Sequence, residues 1–185
     1  AVSGLHRMGW DVTMYRTQLR NEFQATCSNP PSCTSTATQN IPHTQHQGLE
    51  LGTNHRYAHQ WDSRVALLYS DFRFVDHPLY GNRKMPGFPP VLLRGESLWR
   101  WGPSRGSEPS GYIGPKVEWA PMAAAMDNTN SLYNPGYAIW GLKMGQNLGP
   151  IWSWFADARN MANRRFAATT NISANFAATI NPAAY

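Results

Sequence analysis

The sequence predicts an all-β fold, an antiparallel transmembrane β-barrel segment, on three observations. Short stretches alternate between apolar and polar residues, tryptophans gather on the apolar side of that alternation, and the connections alternate between long and short. Side chains point to opposite faces along a strand, so each stretch has one greasy face and one wet face. A soluble hairpin gains nothing by offering tryptophans to water. A strand between lipid and an aqueous lumen does. No run of about 18 apolar residues occurs, so no transmembrane helix is expected, and a barrel is the other structure that can span while satisfying its own backbone.

The first strand is expected from about 10 to 23, with Trp10, Val12 and Met14 opposing Asp11, Thr13 and Thr17. A long connection rich in Pro, Ser, Thr and Asn should follow, from 25 to about 46. The second strand, 47 to 58, sets Leu49, Leu51 and Tyr57 against Glu50, Asn54 and Arg56. After a short turn at 59 to 62, the third strand runs to 74 with Val65, Leu67 and Tyr69 on one side; its other side, with Ala66, Leu68 and Phe72, is less cleanly polar. A Gly- and Pro-rich loop covers 75 to 90. The fourth strand, 91 to 101, places Arg94, Glu96 and Arg100 opposite Leu93, Trp99 and Trp101. Following a turn at 102 to 110, the fifth, 111 to 121, places Lys116 and Glu118 opposite Ile113, Val117 and Trp119. A third long loop spans 122 to 135.

The sixth and seventh strands form a hairpin within 136 to 168, around Gln146-Asn147-Leu148-Gly149. Ala138, Trp140, Leu142 and Met144 oppose Gly141, Lys143 and Gly145 in the first; Trp152, Trp154, Ala156 and Ala158 oppose Ser153, Asp157 and Arg159 in the second. Long, short, long, moderately short, long, short is the rhythm of a barrel with short periplasmic turns and longer extracellular loops.

Composition narrows the function classes. In 185 residues the net charge of +5 is spread along the chain, and beyond Arg164-Arg165 there is no basic cluster. A nucleic-acid partner would want a basic stripe interleaved with aromatics, so none is expected. Residues 1 to 20 carry polar groups throughout and show no signal-peptide pattern. Cys27 and Cys33 enclose Ser-Asn-Pro-Pro-Ser, and a loop disulfide in an oxidising compartment suits them better than free thiols or a two-ligand metal pair. His43 and His46 lie in or beside a loop; His55 and His59, four apart on one strand face, would be about 13 Å from each other, too far to share a metal. No Gly-x-Ser-x-Gly elbow, His-Glu-x-x-His, phosphate loop or paired carboxylates can be read, so neither enzyme, cofactor nor metal is expected. Asn171-Ile172-Ser173 fits a glycosylation sequon.

Several stretches together resemble the C-terminal part of the β-barrel of TonB-dependent outer-membrane receptors, especially the siderophore-receptor branch. They are GWDVTMYRTQLRNEF at 9 to 23, HQGLELGTNHRYA at 46 to 58, LLYSDFRFVDHPLYGNRKMPGFPPVLLRGESLW at 67 to 99, YIGPKVEWAP at 112 to 121, DNTNSLYNPGYAIWGLKMG at 127 to 145 and WFADARNMANRRFAA at 154 to 168. The last is similar to the family's penultimate-strand pattern Asn-Leu-x-Asp-x-x-Tyr/Phe, matched by Asn160, Arg165 and Phe166, with Met161 for Leu and Asn163 for Asp. The resemblance implies a barrel of about 22 strands behind an N-terminal plug. Residues 1–185 are then expected to be a fragment of about seven strands, without the plug and final strand. It also implies a Gram-negative outer membrane, energised uptake of a scarce ligand such as a ferric siderophore, and partnership with the TonB complex through the plug.

On that expectation Trp99, Trp101, Trp119, Trp152 and Trp154 form an aromatic girdle at the lipid boundary, and the wall charges pair with one another across strands instead of docking the plug. Substrate contacts are sought at loop tips: Tyr80, Arg83 and Lys84 in the second loop offer an aromatic and two cations to an anionic chelate, and Tyr133 in the third is a lesser candidate. A passive porin-like barrel and a soluble β-sandwich binding module are the alternative classes.

Overall fold

The computed structural model describes residues 6–27, 36–58, 60–102, 110–149 and 151–167. Its main element is a seven-stranded antiparallel sheet of order β1-β2-β3-β4-β5-β8-β9, in which every strand pairs with its neighbour in the chain's path. The strands are β1 (Arg7–Cys27), β2 (Thr36–Tyr57), β3 (Trp61–Phe74), β4 (Val91–Trp101), β5 (Gly111–Ala120), β8 (Tyr137–Asn147) and β9 (Ser153–Ala158). A small ribbon, β6 (Ala124–Ala125) with β7 (Tyr133–Asn134), sits inside the connection from β5 to β8. Local neighbours joined by up-and-down connections make a curled wall, and the alternation of the sequence decides which side of it is wet.

Residues directly opposite in an antiparallel pair share a face. One unbroken row therefore reads Val12, Leu51, Leu67, Leu93, Trp119, Ala138 across six strands, and another reads Trp10, Thr53, Val65, Gly95, Val117, Trp140. The reverse face carries Gly9, Asn54, Arg64, Glu96, Lys116, Gly141 and, beside it, Asp11, Gly52, Ala66, Arg94, Glu118, Ile139. Aromatic rings bracket the apolar face. Tyr57, Trp61, Trp99, Trp101 and Trp154 lie toward the short connections, and Tyr69, Trp119 and Trp140 toward the long ones.

The strand limits of β4 and β5 fall where the alternation places them. The first two strands do not. β1 continues to Cys27 and β2 begins at Thr36, so most of the stretch expected to be a long connection is paired strand. The reason is that Thr36–Gln45 carries Thr, Gln, Asn or His on both sides, with Ile41 its one large apolar residue, and such a strand shows no period-two contrast. Asn21, in left-handed conformation with φ 59°, faces Pro42, which has no N–H, and the ladder skips that position. Beyond it the sides exchange: Glu22 joins Thr44 and His46 on the polar side, accepting a hydrogen bond from the Thr44 hydroxyl and lying 3.3 Å from His46 Nε2. His43 and His46 thus belong to β2, not to a loop.

Candidate functional site

Two regions concentrate polar chemistry, the polar face of the sheet and the cap formed by the long connections. On the polar face, charges neutralise each other across strands, as opposite partners in a sheet should. Glu118 accepts from Arg94 Nε at 3.0 Å, from Arg159 at 2.9 Å and from the Tyr137 hydroxyl at 2.8 Å. Glu96 accepts from Lys143 at 3.3 Å, and Asp157 pairs with Lys116. Asp62 takes Arg56 and Arg100, each at 3.2 Å. These contacts tie β2 to β5, β8 and the stretch after β9 into one electrostatic sheet. The expected pairing within the wall describes most of this surface.

At the long-loop end, the connection 75–90 folds back on β3 above the point where β4 stops. Phe74 N donates to Arg83 O at 3.0 Å, Met85 N to Phe72 O at 2.8 Å and Ser70 N to Pro90 O at 2.9 Å. The return leg is thereby an extra edge for β3, and it closes a small core of Ile41, Phe74, Tyr80 and Met85 with Phe72 against it. The loop tip is set by His77, whose Nδ1 accepts from Leu79 N and Tyr80 N at 3.2 Å and whose ring stacks on Tyr80 at 4.6 Å. Burial holds the His77 imidazole below its ordinary pKa, and the two donated N–H groups require it neutral.

The third long connection is organised by Asp127, which is buried. Burial pushes its carboxyl up, but hydrogen bonds from Thr129, Leu132 and Ser131 outweigh that and hold it below the usual carboxylate range. Ser131 N and Leu132 N both donate to Oδ1 at 2.8 Å. The turn so formed presents Asn130, whose side chain makes a two-way clip to the second connection: Lys84 N donates to Asn130 Oδ1 at 2.9 Å, and Asn130 Nδ2 donates to Lys84 O at 2.8 Å. Gly87 N adds a bond to Ala125 O at 2.9 Å, and Asn128 Nδ2 reaches Ala25 O on β1 at 3.4 Å. The second and third long connections and the end of β1 form one cap.

The sequence-predicted contact residues separate here. Tyr80 is only 3% exposed and belongs to the core under the loop, so the expectation that it is offered from the tip is corrected: Phe74 and His77 close over its ring. Arg83 is exposed, with its guanidinium 3.5 Å from the Leu79 and Tyr80 carbonyls. Lys84 is half-buried, with its backbone taken by Asn130. Tyr133 stands half-exposed in β7. Cys33 and the side chain of Cys27 lie outside the described residues, as do His59 and Asn171-Ile172-Ser173.

The residues of the quoted Asn-rich pattern have distinct jobs. Asn160, at φ 55°, closes a turn by accepting from Arg164 N at 2.8 Å and donating to Arg164 O at 2.8 Å. Phe166 then returns to the polar face, 4.6 Å from the Tyr137 ring and 5.8 Å from the Arg159 guanidinium. Arg165 is exposed. Sequence reasoning missed the Asn130–Lys84 clip and the Asp127 hub, although Asp127-Asn128-Thr129-Asn130-Ser131 is a dense run of turn formers that could have signalled them.

A sheet with one apolar face ringed by aromatics, one ion-paired face and a cap of locked loops defines a wall segment of a transmembrane β-barrel. The chain belongs to the family described as TonB dependent receptor-like, beta-barrel, which it matches over residues 3–161. Among solved structures it is similar to the siderophore receptor PiuA from Acinetobacter baumannii, with a TM-score of 0.64 at 15% identity over 88% of this chain. The chain spans 23% of that receptor's length. No curated protein matches it.

Proposed function

We propose that this chain is the C-terminal part of the barrel of a larger outer-membrane receptor that imports a scarce ligand, a ferric siderophore, with energy relayed by the TonB complex through a separate plug. The observation that carries the proposal is the division of labour in one sheet: a continuous apolar face for lipid, an ion-paired face for the lumen, and long connections gathered at one end. A passive pore needs the first two features. The locked cap, with cations at its surface, is what a receptor for an anionic chelate adds. Arg83 and Lys84 supply those cations, Tyr133 lies in the same cap, and Tyr80 supports the tip from beneath. The family membership and the fold shared with a siderophore receptor support this reading.

Radiolabelled ferric-siderophore uptake in iron-starved cells tests it. Uptake should need both the intact receptor and a functional TonB, and replacing Arg83 and Lys84 by Gln should weaken binding and flatten its salt dependence. Solute entry that is indifferent to TonB would favour the passive barrel instead. Unchanged affinity and salt dependence in the double variant would remove those two residues from the site.

A further inference from the structure

On the lipid side of the sheet, the apolar character stops at one row. Met14, Leu49, Tyr69 and Val91 stand opposite one another across β1 to β4. The next row on that side is Arg16, Gln47 and Asp71, and the one beyond it is Gln18, Gln45, Arg73 and Lys84. Arg73 and Lys84 oppose each other directly, with the bonds from Phe74 N to Arg83 O and from Met85 N to Phe72 O falling on either side of them. That is the non-hydrogen-bonded kind of antiparallel pair, in which side chains come closest. A sheet disfavours like charges there. Asp71 is the one carboxylate in these two rows, and it is buried. It accepts from Gln47 at 3.0 Å and from Arg73 Nε at 2.7 and 2.9 Å. The terminal guanidinium nitrogens of Arg73 and the Lys84 ammonium have no acceptor among the described residues.

We infer that this outward patch binds the phosphate of an anionic lipid headgroup in the outer leaflet, held between Arg73 and Lys84. Depth is the first support. Arg73 Nε reaches back to Asp71, two residues from Tyr69, so the guanidinium sits about 7 Å along the strand from that last apolar row. Interfacial aromatic rings lie at the headgroup level, and the headgroup layer is roughly 5–7 Å deep beyond the hydrocarbon. Charge is the second support. A phosphate between the two cations relieves their repulsion, taking the free edge of the arginine fork and the point charge of the lysine. Neither residue is on an outer strand of the sheet: Arg73 stands between Gln45 and Lys84, and the far edge of Lys84 is closed by the Asn130 clip. Arg73 shares the side of Leu51, Leu67 and Leu93, away from the path of an imported ligand. The inference rests on the receptor reading above. Lys84 also figures in the ligand test of that reading, so the decisive variant is at Arg73, which does not.

Photolabelling tests it in the intact receptor, reconstituted in phosphatidylcholine vesicles. One arm contains a trace of phosphatidylglycerol with a diazirine in its headgroup, the other a phosphatidylcholine carrying the same group. Labelling of peptides spanning 69–86, mapped by mass spectrometry, should be stronger from the anionic lipid. Arg73→Gln should cut it by about fivefold, the worth of one cation at a charged membrane surface, while Arg73→Lys, which keeps the charge, should retain most of it. Lys84→Gln, with the same expected loss, serves if Arg73→Gln does not assemble. Equal labelling from both lipids would overturn the inference, as would labelling that an assembled Arg73→Gln barrel leaves unchanged. Suppression of the label by inorganic phosphate would assign the pair to the free ion and overturn the lipid source. If TonB-dependent ferric-siderophore uptake is intact while labelling ignores headgroup charge, the receptor reading stands and the lipid site falls.

Discussion

Single residues at the cap show how local chemistry sets what a loop can offer. Tyr80 read as a ligand contact because aromatic rings flanked by cations in a Gly/Pro-rich loop suggest display. Its burial came instead from a neighbour, His77, whose Nδ1 gathers two backbone N–H groups and turns the chain so that the ring falls inward. No sequence period reports such a turn, which is why Arg83 was legible as an exposed cation and the burial of Tyr80 was not. The same geometry predicts a pH response. Burial keeps the folded imidazole's pKa below that of the unfolded chain, so folding of the tip opposes protonation. Its stability is unaffected well above about 6.5, the ordinary histidine value, and declines as pH falls through that value toward the folded pKa. Hydrogen-exchange protection factors of the Leu79 and Tyr80 amides should therefore drop between about pH 7 and pH 5, whereas His77→Asn, which keeps an acceptor that does not titrate there, should flatten the profile. A protection factor constant with pH in the wild-type receptor would dismiss this account.

At the level of strands and loops, legibility followed solvent. Where one face meets lipid and the other water, as in β4 and β5, alternation located the ends to within a residue. Where polar residues fill both faces, as in the upper halves of β1 and β2, contrast vanished and paired strand looked like loop. The two-residue ribbon β6–β7 was invisible for another reason: its existence depends on Asp127 folding the turn between its strands. Pro115 sits inside β5, where a central strand should reject it. The ladder to β4 is absent at Pro115 and Gly114 while pairing to β8 continues, so the missing N–H points at the break. Gly114 is needed there, since a Cβ would strike the Ser97 carbonyl and crowd Leu98 Cα. Gly114→Val should cost about 3 kcal/mol or more by overpacking, seen as loss of the heat-modifiable barrel band on unboiled gels. Gly95→Ala, whose Cβ meets Val117 Cγ1 at 3.4 Å, Arg64 O at 3.8 Å and Val65 Cγ2 at 3.9 Å, all ordinary contacts, should assemble normally. Between loops, Asn130→Gly retains the left-handed backbone at φ 54° but deletes the clip to Lys84. Protection of the Lys84 amide should fall by about 1–3 kcal/mol in opening free energy, the cost of stranding a buried backbone group. Unchanged protection would mean that the Gly87–Ala125 bond alone holds the two connections together.

Across the whole molecule, stability has to come from the surroundings as much as from the chain. Large apolar side chains such as Trp10, Met14 and Trp140 are about half exposed or more in isolation, with relative exposures of 70%, 79% and 49%. The described cores are two small clusters of the kind that tie a loop to a wall. A sheet with so little interior is stable when lipid covers its apolar face, because the area removed from water then lies outside the protein. This predicts a strict asymmetry between the two faces once the sheet is in lipid. Leu67 sits centrally in the apolar row, between Leu51 and Leu93, and Thr13 lies on the polar face opposite Glu50. Leu67→Arg should lower the stability of the membrane-inserted receptor by about 2–4 kcal/mol, the cost of arginine at mid-bilayer. Thr13→Arg should be neutral or mildly stabilising, since it gains a cross-strand partner in Glu50. Urea unfolding of the receptor in lipid vesicles separates the two outcomes. Equal losses at both positions would show that the polar face is not wet, and the assignment of lipid and lumen would have to be exchanged or abandoned.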